Sequence, residues 1–281
     1  MSDDQEHAVD APSVQSVEVI HYPQSQKTAD VVAVEEPLEI RVNDTAMAVV
    51  MRTPGNEKAL VAGFLLTEGI IDDTDDIQAI APCQDPARPN ADNIMLVRLA
   101  SGSALAEERI ERAQRHLYTS SSCGVCGKAT IDNLMVATTP HADYISVPIS
   151  LIDAASKVTR SQQTVFQKTG GLHGASIFEM TNADAPIVVA EDIGRHNAVD
   201  KVIGHFVLSD QLPLHNHLLW VSGRAGFEIV QKALVAGISA MVCVGAPSSL
   251  AIELAERGRL TLIGFARQSG HFNVYTGTVS G

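Results

Sequence analysis

Residues 218–244 read Leu-Leu-Trp-Val-Ser-Gly-Arg-Ala-Gly-Phe-Glu-Ile-Val-Gln-Lys-Ala-Leu-Val-Ala-Gly-Ile-Ser-Ala-Met-Val-Cys-Val, and this stretch decides the fold class. Leu218–Val221 is a short apolar run of the kind that forms a buried strand. Phe227–Ala236 has the length and pattern of a helix, and Ala240–Val244 is a second apolar strand. Working outward, a helix at Asn197–Leu208 comes before, and a helix at Ser248–Arg257 and a strand at Leu260–Phe265 come after. Such regular alternation predicts a largely parallel sheet covered by helices, an α/β fold. The longest apolar stretch, Ala233–Ala246, is bounded by Lys232 and Pro247 and falls short of the roughly 20 residues that a bilayer span requires.

Upstream the rhythm loosens. A helix through Leu151–Phe166 precedes strands at Ala175–Met180 and Pro186–Ala190. Further back, Leu38, Ile40 and Val42 alternate with polar residues, Asn43-Asp44 can turn the chain, and Met47, Val49 and Met51 alternate again, which predicts a β-hairpin. Pro54-Gly55-Asn56 opens a helix with Leu60, Val61, Phe64 and Leu65 on one face, ended by Gly69. A loop at Pro82–Asn93, a strand at Ile94–Leu99 and a helix near Leu105–Arg115 follow. Residues 1–28 are polar and acidic without sustained periodicity and read as a mobile leader. The expected division is therefore a leader over 1–28, a small α+β domain over 29–140 with a cysteine loop near its end, and an α/β domain over 141–281.

The 281 residues are 45% hydrophobic and 19% charged, a globular balance that excludes wholesale disorder. With 20 Lys and Arg against 33 Asp and Glu, the formal charge is -13, so the chain has no general attraction for nucleic acid or anionic membrane. Any anionic ligand must be held by a local site. The acidic start, Met1–Pro12, lacks the basic end and apolar centre of a secretory signal, and a cytoplasmic protein is expected. Four cysteines are too few for a disulfide framework at this length, and two of them share one loop.

That loop, Cys123-Gly-Val-Cys126, follows three serines and precedes Gly127. Small neighbours leave the sulfurs accessible, and if a helix continues over Ala129–Val136 its N-terminal N–H groups favour a thiolate at Cys123. Three readings fit: a nucleophilic thiol pair, half of a zinc site completed by His173 or His196, and an inert loop. Next, Lys168-Thr-Gly-Gly-Leu-His173-Gly-Ala-Ser176 enters a strand, where His173 either acts on a ligand or is a surface histidine of a tight turn. Glu191-Asp192-Ile-Gly194-Arg195-His196-Asn197-Ala-Val-Asp200-Lys201 leaves a strand and opens a helix, a crowding of ionisable groups expected where a sheet presents its ligand edge. Ser222-Gly223-Arg224-Ala-Gly226-Phe-Glu228 repeats the arrangement and suits a phosphate, with Gly245-Ala-Pro-Ser248-Ser249 and Phe265-Ala266-Arg267 at the following junctions. In a parallel sheet these junctions share one edge, so together they describe a nucleotide-like anion site. His205, His215 and His217 read as ordinary residues and Trp220 as core.

The motifs Ser121-Ser-Cys-Gly-Val-Cys-Gly127, Thr169-Gly-Gly-Leu-His-Gly-Ala175, Glu191-Asp-Ile-Gly-Arg-His-Asn-Ala-Val-Asp-Lys-Val-Ile-Gly204, Ser222-Gly-Arg-Ala-Gly-Phe-Glu228 and Gly264-Phe-Ala-Arg267 occur in that order. The chain thereby resembles the formate dehydrogenase accessory sulfurtransferase family, FdhD, from about residue 30 to Thr276. The resemblance implies a sulfur carrier that takes persulfide sulfur from a cysteine desulfurase. It would pass that sulfur to bis-molybdopterin guanine dinucleotide, the molybdenum cofactor, before the cofactor enters formate dehydrogenase. It also implies a small α+β N-terminal domain, a cytidine-deaminase-like three-layer α/β domain and a homodimer.

Carried over by motif, Cys123 bears the persulfide and Cys126 is its loop partner. Phe265, Ala266 and Arg267 with Gln268, Ser269 and Gly270 match the guanine-nucleotide contact region. His173, Asp192, Arg195, His196, Asn197, Ser222, Gly223 and Arg224 are the further cofactor-binding candidates. Family members often carry glycine and arginine after Phe-Ala-Arg, where this chain has Gln268-Ser269-Gly270-His271. No permanent metal is expected: the HxE and PCxxC zinc pattern of deaminases is absent, His173 being followed by Gly174-Ala175 and Cys123 preceded by Ser122. Two rival readings are a non-catalytic molybdenum-cofactor chaperone with redox-gating cysteines and a zinc-dependent hydrolase or deaminase.

Overall fold

The computed structural model describes residues 13–100, 109–111, 138–267 and 270–281. Strands β1 (Val14–His21) and β2 (Gln26–Ala33) pair antiparallel as a two-stranded sheet. Next come β3 (Glu36–Val42) and β4 (Thr45–Arg52), joined at Asn43-Asp44, both of which have positive φ as a tight hairpin turn requires. Helix α1 (Glu57–Thr67), β5 (Ile77–Pro82) and β6 (Ile94–Leu99) complete a four-stranded sheet of order β4-β3-β6-β5. After β7 (Ser146–Pro148) the chain forms α2 (Ile149–Gln162), α3 (Thr164–Thr169), β8 (His173–Glu179) and β9 (Val188–Asp192). Then follow α4 (Arg195–Leu208), β10 (His217–Val221), α5 (Phe227–Val235), β11 (Ala240–Cys243), α6 (Ser249–Gly258) and β12 (Thr261–Gly264). The chain closes with β13 (Asn273–Thr276) and β14 (Thr278–Ser280), the latter parallel to β7.

The six-stranded sheet runs β13-β12-β11-β10-β8-β9. Its side chains alternate between two apolar clusters, as the period-two geometry of a strand dictates. Leu219, Val221, Met241, Cys243 and Leu262 face α4, α5 and α6, while Leu218, Trp220, Ala240, Val242 and Ile263 face Leu151, Ile152 and Ala155 of α2. The result is three layers with both sheet faces covered. On the first face the core continues past α4 into α1 and the four-stranded sheet, so that Leu38, Ile40, Leu60, Leu65 and Val97 belong to one cluster with Val202 and Phe206.

Two glycines set the distance between α1 and α4. A Cβ at Gly63 would lie 1.9 Å from the Asp200 carbonyl oxygen, and one at Gly204 would lie 1.8 Å from that of Ala59. Only glycine lets the two backbones meet this closely.

Several sequence-based expectations change here. The sheet is mixed and not largely parallel: β10–β11 and β11–β12 are parallel, but β8–β10, β8–β9 and β12–β13 are antiparallel. The reading of 1–28 as a leader fails from Val14 onward, because that segment pairs residue for residue with Gln26–Ala33. The expected helix Leu151–Phe166 breaks at Gln163 into α2 and α3. The expected helices at Leu105–Arg115 and Ala129–Val136 fall outside the described residues, except that Arg109–Glu111 are helical.

Candidate functional site

The strand junctions do share one edge, for a reason the parallel-sheet expectation did not contain. Because β8 runs opposite to β9 and β10, it begins where they finish: His173 pairs with Asp192, and Ala175 with Val221. The loops at this edge are laced by backbone hydrogen bonds. Ser222 N–H donates to Gly174 O at 2.9 Å, Gly245 N–H to Gly223 O at 3.0 Å, Ser248 N–H to Ala225 O at 3.0 Å and Phe265 N–H to Gly245 O at 3.0 Å. Each junction therefore supports the next, which makes a rigid shelf for side chains.

His173 lies half-buried on this shelf, its Nδ1 3.3 Å from Ser222 Oγ, and the same hydroxyl accepts from Gly174 N–H at 2.9 Å. Burial, then the nearby Arg195 guanidinium and His196, lower its pKa below the ordinary histidine value against an opposing pull from Asp192. The imidazole is thus held neutral near pH 7, as a hydrogen-bonding group and not a fixed cation. A Cβ at Gly223 would be 3.6 Å from both Arg195 Cδ and His173 Cε1, which brings the three residues to one point. Arg195 Nε is buried there with no protein partner among the described residues.

Asp192 and Asn197 support the edge from beneath. Asp192 is fully buried and accepts from Gly194 N–H at 2.8 Å, Asn197 Nδ2 at 2.9 Å, Thr53 N–H at 3.2 Å and Lys201 Nζ at 2.8 Å. Asn197 Nδ2 also donates to Met51 O at 2.7 Å, and Lys201 Nζ to Thr53 O at 3.0 Å and Glu191 O at 3.1 Å. With its oxygens engaged by four donors, Asp192 ties the β4–α1 connection to the β9–α4 junction and has no surface left for a ligand. Glu191 is likewise engaged, its carboxylate accepting from Val165 and Phe166 N–H at 2.9 and 2.7 Å and so capping α3.

Two polar contacts join α4 to α5 as successive rungs. At the edge, His196 Nε2 lies 3.0 Å from Glu228 Oε2, both partly exposed. One turn deeper, Lys232 Nζ donates to both oxygens of Asp200 at 2.9 Å and to Thr67 Oγ1 of α1 at 2.7 Å, with Glu68 at 3.4 Å. Burial alone lowers the pKa of Lys232, but Asp200 and Glu68 outweigh it and raise the pKa, so the ammonium stays charged.

Arg224 is exposed, its side chain running beside Gly245. Phe265 has φ 56°, a strained value for an aromatic residue, and leaves its ring partly exposed. Behind it, Ala266 O accepts from Ser156 Oγ at 3.1 Å, and Ser156 Oγ accepts from Trp220 Nε1 at 2.9 Å. Arg267 and Gly270 are exposed. Cys123, Cys126, Gln268 and Ser269 lie outside the described residues. The other two cysteines are buried, and burial pushes the Cys243 thiol up to about 12. Sequence reasoning missed Thr53 as a fastener, and it placed Lys201 and Glu228 in the edge motifs without their partners. Glu228 and Lys232, four apart on α5 and opposite His196 and Asp200 on α4, are the signal that was available.

The geometry defines a class: a three-layer α/β protein with a shelf of hydrogen-bonded loops along one sheet edge, and a four-stranded sheet fastened to it through a buried helix. Within that class the chain belongs to the FdhD/NarQ family, whose family model matches residues 33–280. It is 46% identical over 252 residues to the sulfur carrier protein FdhD of Mycolicibacterium paratuberculosis, covering 88% of this chain and 90% of that one. To the sulfur carrier protein FdhD of Streptomyces avermitilis it is 43% identical over 253 residues, 88% of each chain. A crystal structure from Desulfotalea psychrophila, assigned as a formate dehydrogenase accessory protein, superposes with a TM-score of 0.69 at 26% identity, covering 94% of this chain and 96% of that one.

Proposed function

We propose that this chain is a sulfur carrier for formate dehydrogenase maturation: it accepts persulfide sulfur from a cysteine desulfurase on Cys123 and delivers it to bis-molybdopterin guanine dinucleotide held at the shelf. The observation that carries the reading is the convergence of His173, Arg195, His196, Ser222, Gly223 and Arg224 on one edge of an acidic chain, where a local site is needed to hold an anion. The sulfur carrier names of its relatives support the sulfur chemistry. The same proposal includes a cytidine-deaminase-like layer order used as scaffold only, a homodimer and a cytoplasmic setting.

In the first step the Cys123 thiolate attacks the outer sulfur of the donor persulfide. The donor S–S bond breaks, the donor cysteine leaves as a thiolate, and Cys123 carries the persulfide with no net oxidation. In the second, the outer sulfur passes on by one of two routes: either the Cys126 thiolate attacks Cys123 Sγ, so that a Cys123–Cys126 disulfide forms and the sulfur leaves as sulfide with the electron pair, or Cys126 serves only to protect Cys123 as a disulfide. His173, Ser222 and the arginines bind and orient the guanine nucleotide ends, so that catalysis is by positioning.

Mass spectrometry after incubation with a cysteine desulfurase and cysteine tests this. The expected result is one added sulfur atom on Cys123, none on Cys123→Ala, and loss of formate dehydrogenase maturation by that folded variant. Unimpaired maturation by Cys123→Ala would overturn the carrier reading and favour the cofactor chaperone.

A further inference from the structure

His173 and Ser222 meet through a clamp built from the ends of two strands. Ser222 N–H donates to Gly174 O at 2.9 Å, and Gly174 N–H donates back to Ser222 Oγ at 2.9 Å, so the hydroxyl is tied to the start of β8 from both sides. Gly174 is closely packed there, since a Cβ would lie 2.3 Å from Nε2 of the fully buried Gln163. Within this clamp Ser222 Oγ lies 3.3 Å from His173 Nδ1, and the Nδ1–Cε1 edge of the ring faces Gly223, where a Cβ would be 3.6 Å from both atoms. The other ring nitrogen, Nε2, has no protein partner among the described residues. Neither has the buried Nε of Arg195, whose Cδ would also lie 3.6 Å from a Gly223 Cβ.

A serine hydroxyl has one proton to give and two lone pairs to offer. Gly174 N–H occupies one lone pair. If Nδ1 carried a proton it would take the other, and the hydroxyl proton would have no acceptor among the described residues. If Nδ1 is bare the hydroxyl donates to it, and all three groups are paired. A neutral imidazole with a bare Nδ1 carries its proton on Nε2. Resting on the reading of this edge as a nucleotide site, we infer that Ser222 is a positioning residue: it sets His173 as the Nε2–H tautomer and so offers the nucleotide an uncharged N–H donor beside the Arg195 guanidinium. The opposite tautomer would present a lone pair, which repels the anionic oxygens of a pyrophosphate. Burial, then Arg195 and His196, keep the ring from taking a second proton against the pull of Asp192. The two unpartnered groups divide the work: Arg195 supplies charge, and His173 a directed hydrogen bond that adds none. Ser222, its hydroxyl spent between Gly174 and His173, acts through the ring and not on the ligand.

The tautomer is read without ligand from nitrogen–proton correlation spectra of the nitrogen-labelled full chain at about pH 7.5, above the ordinary histidine value, the His173 signals being those lost in His173→Ala. The expected result is a bare Nδ1 and a protonated Nε2. A protonated Nδ1 overturns the inference, and this measurement does not depend on whether Ser222→Ala folds. Calorimetry with guanosine diphosphate then closes a cycle of wild type, Ser222→Ala, His173→Ala and the double variant. Ser222→Ala should weaken binding about two- to tenfold, the scale of one hydrogen bond, and should cost nothing further in the His173→Ala background. A loss of the same size in both backgrounds makes Ser222 a direct contact or a prop of the fold and overturns the inference, as does unchanged affinity in folded Ser222→Ala. If the spectra show the expected tautomer but the wild type binds no guanosine diphosphate, it is the nucleotide reading that has failed, and the use assigned to the donor falls with it.

Discussion

Lys232→Met removes the cation from the buried rung between α4 and α5 while nearly keeping the side-chain volume, so the loss is electrostatic and little cavity is made. The ammonium donates to both Asp200 oxygens at 2.9 Å and to Thr67 Oγ1 at 2.7 Å, and the Asp200 side chain is only 3% exposed. Without it Asp200 keeps Thr67 Oγ1 as donor at 2.9 Å and is otherwise a carboxylate stranded among three helices. Breaking one side of a buried pair costs about 3 to 5 kcal/mol, and we expect a loss in that range at about pH 7. The pH dependence has a defined sign. Burial already raises the Asp200 pKa against the opposing pull of Lys232, and removing the lysine raises it further. A group whose folded pKa is raised binds its proton more tightly when folded, so the variant regains stability as pH falls toward the ordinary carboxylate range. Urea unfolding followed by circular dichroism should show a smaller gap from wild type at about pH 5 than at about pH 7, and Asp200→Asn added to Lys232→Met should restore part of the loss. A loss under about 1 kcal/mol, or a gap that widens on acidification, would refute the pair as a fastener of the three helices.

Gly204→Ala should cost about 1 to 3 kcal/mol or more in the same unfolding assay, since its methyl meets backbone and not a flexible side chain. Arg224→Ala should weaken guanosine diphosphate binding by at most about 1.5 to 3 kcal/mol, the scale of a charge-assisted hydrogen bond and reduced by the exposure of Arg224. Calorimetry reads this, and unchanged affinity would remove Arg224 from the site. Cys243, with its thiol pushed up to about 12, should resist alkylation in the folded chain at neutral pH and react once denatured, as mass spectrometry of the alkylated peptides would show.

The parts of this structure legible in the sequence are those where burial is one-sided or complete. The β3–β4 hairpin declared itself through alternation and Asn43-Asp44, α1 through its apolar face, and the α4 to β12 run through strands buried on both faces. The β1–β2 hairpin was invisible because it is largely exposed on both faces, so selection for burial left no period in Val14–Ala33. Strands β7, β13 and β14 have three or four residues, too few for any period. Strand direction is not written in a strand's own residues, which is why the sheet read as parallel. At the site, residue types marked the edge but not depth: Asp192 and Asn197 look like ligand contacts in the motif, and only the position of Thr53 and Met51, far upstream, shows that they face inward.

The apolar face of α1 bears on how the chain is made. Leu60, Val61 and Leu65 share a core with Val202 and Phe206, and Gly63 sits against the backbone of Asp200, yet α4 is synthesised long after α1 has left the ribosome. Until then α1 and the four-stranded sheet lack one wall, and their stability depends on contacts of high sequence separation, which form slowly. Fragments ending before α4 should therefore expose that face and associate with holdase chaperones or with each other. The edge that α4 opens, with Arg195 and His196 in its first turn, takes shape only when α4 closes the N-terminal part. A nascent chain then completes the core of its first half as α4 docks, and its candidate binding shelf once the strands from β10 to β12 bring Ser222, Arg224 and Phe265 beside it.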